Sequence, residues 1–290
     1  MIRRLLGPAT VLALLFGLGI PRAFADDGPP PSYYLALGDS LAAGYQPVGS
    51  RDDGYVPQVY RAVGSKVPNT RLVNLSCDGA TTATLLSGGG ACGYPGGDSQ
   101  LAAAEKFLHS HGAKVMLVTI DIGGNDVNRC AAGGTIDAAC AAAAIGTVKA
   151  NLNVIMQRLR LAAPEVSMVG MTYYDPYLAS WLSGPSGQAV ARQSVALTTQ
   201  LNQELTQVYT ASSARVADVG GAFATTDLTT PATFPGVGEV PLAVANICTL
   251  TWMCVPGRSP DIHPNSAGYE VIAQAFLAQS PLLSVGARVG

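Results

Sequence analysis

The chain has 290 residues, of which 48% are apolar and 12% charged, and its 17 basic and 19 acidic side chains leave a formal net charge of −2. An average globular chain is about a quarter charged, and no Lys/Arg cluster here could neutralise a run of phosphates, so nucleic-acid binding is excluded. Intrinsic disorder is excluded by the apolar content, and the three histidines, His109, His111 and His263, leave few candidates for imidazole chemistry.

In chain order, the first segment reads as an address. Arg3 and Arg4 precede an apolar stretch from Leu5 to Ile20, and Ala23-Phe24-Ala25 supplies an A-x-A cleavage pattern ahead of Asp26. Residues 1–25 are therefore expected to be a secretory signal peptide. The alternative, an uncleaved anchor, would need roughly 20 apolar residues, and this stretch is shorter and broken by Gly7, Pro8, Gly17 and Gly19. Removing Arg3, Arg4 and Arg22 takes the 17 basic residues to 14 against 19 acidic ones, a mature charge of −5. A secreted location, extracellular or at the cell wall, is the expectation, with residues 26–290 as a single domain because no linker interrupts them.

The mature chain alternates short apolar runs with longer segments of helical spacing. The runs are Tyr33 to Leu37, Arg71 to Leu75, Val115 to Ile120, Val166 to Met171 and Arg215 to Val219. The helical segments are Tyr55 to Val63, Ser99 to His111, Ala138 to Ala162, Gln188 to Ser212 and Ser266 to Ala278. This pattern predicts an α/β fold of three layers, α/β/α and flavodoxin-like, around a central, mainly parallel five-stranded sheet.

Export makes the six cysteines a disulfide framework. They fall into sequence-local couples, Cys77/Cys92, Cys130/Cys140 and Cys248/Cys254, and three loop staples with that pairing are expected. A metal site would want ligand spacings of about 2 to 4 residues, which these couples do not offer. No metal and no organic cofactor are expected.

Ligands of open α/β sheets bind beyond the carboxyl ends of the strands, so the residues after each run carry the functional information. The first run enters Gly38-Asp39-Ser40, where a serine at the mouth of the sheet is placed to act as a nucleophile; the alternative is a helix cap. The same tripeptide recurs as Gly97-Asp98-Ser99 after a Pro/Gly loop, and there it reads as the cap. Ser76-Cys77-Asp78-Gly79-Ala80 follows the second run and Asp121-Ile122-Gly123-Gly124-Asn125-Asp126 the third. Glycine lets backbone approach a substrate, and the Asn125 amide can donate to a developing oxyanion. Tyr173, Tyr174, Asp175 and Tyr177 follow the fourth run, as cleft or as packing. His263, in Ser259-Pro260-Asp261-Ile262-His263-Pro264-Asn265, is the candidate general base for Ser40, since His109 and His111 read as polar residues at a helix end.

Other motifs are weaker. Gly88-Gly89-Gly90-Ala91-Cys92-Gly93 fits G-x-G-x-x-G without a preceding strand. The G-x-S-x-G elbow of the larger α/β-hydrolases is absent. Asp39 and Asp126 could pass for a glycosidase carboxylate pair but read better as loop-holding acceptors beside Ser40 and Asn125.

Taken in order, Gly38-Asp39-Ser40, Gly79, Gly123-Gly124-Asn125-Asp126 and His263-Pro264-Asn265 resemble the four blocks of the SGNH, or GDSL-type, hydrolases, in particular secreted actinobacterial esterases and lipases, in which three disulfides of similar placement also occur. The resemblance implies Ser40 as nucleophile, His263 as base, and an oxyanion hole made of the Ser40 and Gly79 backbone N–H groups and the Asn125 side chain. One departure stands out: the usual last block is D-x-x-H, whereas Pro260 lies three residues before His263 and the acid, Asp261, only two before. Either the Asp261 side chain or a backbone carbonyl of residue 260 or 261 would then orient the imidazole.

The expected function is a secreted esterase or lipase that cleaves carboxylic esters through a Ser-His acyl-enzyme mechanism, with a place in lipid metabolism. The expected partner is a small-molecule or lipid ester, with transient contact at a membrane or cell-wall surface and a monomeric state. The alternatives are a polysaccharide deacetylase or acyltransferase, and a non-catalytic cell-wall-binding protein on the same scaffold.

Overall fold

The structure, a computed structural model, describes residues 30–94 and 97–280; the expected signal peptide lies outside them. Five strands, β1 (Ser32–Gly38), β2 (Thr70–Asn74), β3 (Val115–Asp121), β4 (Met168–Met171) and β5 (Arg215–Ala217), form the central sheet. Their order is β2-β1-β3-β4-β5, and every pairing is parallel. Tyr34, Leu35, Ala36 and Leu37 of β1 are all fully buried, as a strand covered on both faces must be, which is why apolar runs rather than alternation marked these strands. Val166 and Val219 fall outside the observed strands; Val219 instead opens a short helix.

Nine helices surround the sheet among the described residues. They are α1 (Tyr55–Lys66), α2 (Thr82–Ser87), α3 (Gln100–His111), α4 (Gly124–Asn128), α5 (Ala138–Ala162), α6 (Pro185–Ala211), α7 (Val219–Ala222), α8 (Leu242–Leu250) and α9 (Ser266–Gln279). From β1 the chain steps outward through α1 to β2, then crosses back and proceeds the other way through α3, α5 and α6. Right-handed crossovers put α1 on the opposite face from those three. Accordingly α1 packs on α9, while α3 packs on α5 and α5 on α6. Helix α5 is apolar and long enough to cross a membrane by composition, but it lies between α3 and α6 with Val148, Leu152 and Ile155 buried, and its Lys149 pairs with Glu204 of α6 at 2.8 Å.

Helix α6 starts three residues before its sequence-based start because Pro185 occupies the first turn, where a missing N–H costs nothing. Ser99, Asp137 and Asn265 cap α3, α5 and α9 with side-chain acceptors. Outside the sheet, among the described residues, lie three antiparallel ribbons: Ala131–Ala132 with Thr135–Ile136, Pro231–Phe234 with Gly238–Pro241, and Thr251–Trp252 with Asp261–Pro264. Strand order reverses between β1 and β3, which opens a crevice at their carboxyl ends.

Candidate active site

Ser40 sits at that crevice. After β1, Gly38 adopts φ +145°, a conformation closed to other residues here because a Cβ would meet the Asp121 carboxyl at 2.4 Å. The chain then coils through one irregular turn, with Ala43 N–H donating to Asp39 O at 3.1 Å and Tyr45 N–H to Ser40 O at 2.9 Å. Two buried carboxyls hold this turn. Asp39 Oδ1 accepts from Leu41 N–H at 2.9 Å, and Asp121 Oδ2, from the end of β3, accepts from Asp39 N–H and Ala42 N–H at 3.3 Å each. Helix α3 grips the strand end as well: Gln100 Oε1 accepts from Gly38 N–H at 2.7 Å and Gln100 Nε2 donates to Gly38 O at 3.0 Å.

Burial pushes both carboxyls above the usual carboxylate range. Asp121 is pushed further, because the negative charge of Asp39 adds to burial and Asp39 accepts a hydrogen bond from it. Asp121 therefore carries the proton of the pair and Asp39 the charge. The hydroxyl of Tyr55 donates to Asp121 Oδ1 and that of Tyr173 to Asp39 Oδ2 at 3.1 Å, which completes the satisfaction of this buried cluster.

His263 reaches Ser40 from the far end of the chain. It lies on the ribbon strand Asp261–Pro264, which pairs with Thr251–Trp252, and the Cys248–Cys254 disulfide joins α8 to the loop after that ribbon's first strand. Beyond it, Asn265 caps α9 and also donates through Nδ2 to Thr249 O at 2.8 Å. His263 Nε2 lies 2.8 Å from Ser40 Oγ, and His263 Nδ1 lies 2.7 Å from Asp261 Oδ1. The same Oδ1 accepts from His263 backbone N–H at 2.9 Å. That local turn is how an acid two residues before the histidine reaches the ring: the carboxylate folds back over its own backbone. The carbonyl of Ile262 is engaged elsewhere, accepting from Tyr174 OH at 2.8 Å, and the Tyr45 ring stands edge-on to the imidazole with centroids 4.5 Å apart. His109 and His111 end α3, with Nδ1 atoms 2.7 Å from Glu105 O and 3.2 Å from Phe107 O, and neither lines the crevice.

Asn125 is in the first turn of α4, immediately after Gly123 (φ +118°) and Gly124. A Cβ on Gly124 would meet the Tyr173 ring at 2.9 Å, so this glycine lets that ring approach. Asn125 Nδ2 donates one hydrogen to Ala80 O at 3.0 Å, which fixes the amide and leaves its second hydrogen for another acceptor. Asp126 clamps α4 to α2, accepting from Thr82 Oγ1 at 2.6 Å and Thr82 N–H at 2.9 Å. Gly79 is exposed at φ +74° in the loop after β2. Its loop is tied to both neighbours of the site, through Cys77 N–H to Gly38 O at 3.1 Å and through Ala80 O to Asn125; Gly79 itself does not line the crevice.

Disulfides join Cys77 to Cys92, Cys130 to Cys140 and Cys248 to Cys254, the three sequence-local couples. Among the described residues no group of three His, Cys, Asp or Glu side chains could hold a metal ion. Tyr173 and Tyr174 turn out to be both packing and lining: each is buried, and both face the crevice together with Leu41, Val127 and Leu201. Sequence reasoning did not single out Asp121, Gln100, Tyr45 or Leu201. Asp121 left a usable trace, an acid closing a strand whose other residues are apolar apart from Thr119; Leu201 left none, being one of three leucines in a 27-residue helix.

A hydroxyl, an imidazole and a carboxylate in hydrogen-bonded series, beside an anchored amide at the switch point of a doubly wound sheet, make a site able to carry out acyl transfer. Residues 36–271 match the GDSL-like lipase/acylhydrolase family, and the chain belongs to that family, the SGNH hydrolases whose blocks it carries. No curated protein sequence matches the chain. Among solved structures it is similar to phospholipase A1 from Streptomyces albidoflavus NA297, at 19% identity over 86% of this chain and 100% of that one, with a TM-score of 0.54. The extracellular lipase from Streptomyces rimosus is 20% identical over 86% of this chain and 99% of that one, with a TM-score of 0.54. The lipase Lip_vut3 from a goat rumen metagenome is 18% identical over 87% and 99%, also with a TM-score of 0.54. At these identities the likeness is one of fold.

Proposed function

We propose that the protein is an exported serine ester hydrolase that cleaves carboxylic esters without metal or cofactor. The observation that carries this reading is the continuous series from Ser40 Oγ through His263 to Asp261, with contacts of 2.8 and 2.7 Å. Ser40 Oγ attacks the ester carbonyl carbon while His263 Nε2 takes its proton. The negative oxygen of the tetrahedral intermediate is received by the free Asn125 N–H and by the Ser40 backbone N–H, both at the crevice; Gly79, which the family resemblance assigns to the same role, stands in the loop that anchors Asn125 through Ala80 O. As the intermediate collapses, the C–O bond to the alcohol breaks and His263 returns the proton to that oxygen. Water then repeats the sequence on the acyl-Ser40 ester and releases the acid. Asp261 holds the Nδ1–H tautomer and stabilises the imidazolium. Three disulfides and the A-x-A leader pattern support export.

Hydrolysis of p-nitrophenyl butyrate by the wild type, with labelling of Ser40 by a fluorophosphonate, is the expected result. Ser40→Ala should abolish both while leaving the circular dichroism spectrum unchanged. Equal hydrolysis by wild type and Ser40→Ala would remove Ser40 from the mechanism.

A further inference from the structure

A half-open pocket of about 60 Å³ lies beside Ser40. Its apolar walls are Leu41, Val127, Tyr173, Tyr174, Pro176 and Leu201, and Ser40, Asn125 and His263 stand at its polar side. These walls are tied in place. Tyr173 is held at three points: its hydroxyl donates to Asp39, its backbone N–H donates to Asn202 Oδ1 at 2.7 Å, and its carbonyl accepts from Asn202 Nδ2 at 2.7 Å. The Tyr174 hydroxyl is spent on Ile262 O, and the Tyr174 ring stacks on Phe223 with centroids 4.7 Å apart. A ring fastened at both backbone and hydroxyl cannot swing aside to lengthen the pocket without breaking buried hydrogen bonds.

The volume sets a scale. A cavity of about 150 Å³ accommodates benzene, so each carbon needs roughly 25 Å³. A pocket of about 60 Å³ then holds two or three carbons beyond the reacting carbonyl. In an acyl-enzyme mechanism the acyl group stays on the serine until water arrives, whereas the alcohol must leave past the base that protonates it. The small tethered pocket suits the group that stays.

Resting on the reading of Ser40 as the nucleophile, we propose that this pocket receives the acyl chain and restricts the enzyme to short-chain acyl esters of about two to four carbons, with Leu201, Tyr173 and Tyr174 setting the limit. The alcohol portion is then the part left free to vary.

The test uses the purified wild-type protein and two ester series. With p-nitrophenol constant and the acyl chain lengthened from acetate through butyrate to octanoate and palmitate, kcat/KM is expected to fall by about tenfold or more between butyrate and octanoate, as overfilling a rigid apolar pocket requires. With acetate constant and the alcohol varied from ethyl to dodecyl, kcat/KM is expected to stay within about threefold. Leu201→Ala should raise the octanoate-to-acetate ratio by about tenfold, because it removes three carbons from the wall. The wild-type series carries the test if that variant folds poorly. Octanoate and palmitate cleaved as well as butyrate, or a preference that follows the alcohol, overturns the proposal while leaving Ser40 as nucleophile. No hydrolysis of any ester and no fluorophosphonate labelling overturns both.

Discussion

The chain contains Gly-Asp-Ser twice, at residues 38–40 and 97–99, and the two copies do different work with the same three residues. Both serines are buried. Ser40 Oγ faces His263 Nε2, whereas Ser99 Oγ accepts from Ala102 N–H at 3.1 Å and caps α3. The difference lies in what comes before and across. The first copy ends a buried parallel strand at the reversal of strand order, where Asp121 and the distant His263 can meet it; the second opens a helix, where a serine's nearest unmet partners are backbone N–H groups. The copies are also connected. By starting α3 where it does, Ser99 places Gln100 to hold both the N–H and the carbonyl of Gly38, so the structural copy supports the reactive one.

The sharpest way to break this contrast is to remove each hydroxyl in turn. Ser40→Ala should lower kcat by roughly ten-thousand- to million-fold with no loss of melting temperature, as measured on p-nitrophenyl esters and by thermal denaturation. Next in size, Asp261→Asn should lower kcat by about a thousandfold or more, since Asn would favour the wrong imidazole tautomer; a loss under about tenfold would hand the orienting role to a backbone carbonyl. Gln100→Ala leaves the buried Gly38 N–H without a partner, while Gly38 O keeps Cys77 N–H. A destabilisation of about 1–3 kcal/mol in urea unfolding is expected, and a smaller one would mean that water replaces the amide.

The acid beneath the first copy gives a pH signature. Asp121 is held protonated in the folded protein above its ordinary range, so between the unfolded and folded pKa values the native state binds one more proton than the unfolded chain. Stability from this group must then fall as pH rises through that window, and Asp121→Asn should flatten the fall of melting temperature with pH. An unchanged slope would contradict the protonated assignment. The smallest effect belongs to the second copy: Ser99→Ala should cost about 1 kcal/mol of stability and leave kcat nearly untouched. A loss of activity comparable to that of Ser40→Ala would abolish the distinction between the two.

Much of this is legible in the sequence. The five strands and five long helices follow from runs and periods long enough to resist local ambiguity; Ser40 and Asn125 announce themselves by position after apolar runs, and His263 by being the histidine left once His109 and His111 are placed at a helix end. Short pieces did not carry that signal. Helix α4 has five residues and α7 has four, and the ribbon strands at residues 131–136 have two each, too few for a period to show. Helix α8 lies between Val219 and Ser266, a stretch in which no apolar run or helical period is marked. Gln100 illustrates a different blindness: its partner Gly38 is 62 residues away, and nothing local in a helix's first turn says that its amide will face a strand end. Leu201 is the same case for the pocket, an apolar residue whose importance is its address in space. The Asp261 departure ran the other way, because the spacing raised the question and the turn at His263 N–H supplied the geometry.

The placement of the disulfides has a further consequence for how order is distributed in the molecule. Each closes a short segment, of 15, 10 or 6 residues, and each lies next to a different site element: Cys77 beside Gly79, Cys130 just after α4 with Asn125, and Cys254 in the loop that leads back to His263. None crosses the sheet, so the topology owes them nothing. Only the turn of Ser40 has no such link and is held by buried carboxyls instead. A reductant would thus act on the rim and spare the frame: hydrogen exchange should quicken in those three loops while the amides of β1 and β3 stay protected, and the molecule would keep its architecture while losing the registration of its reacting parts.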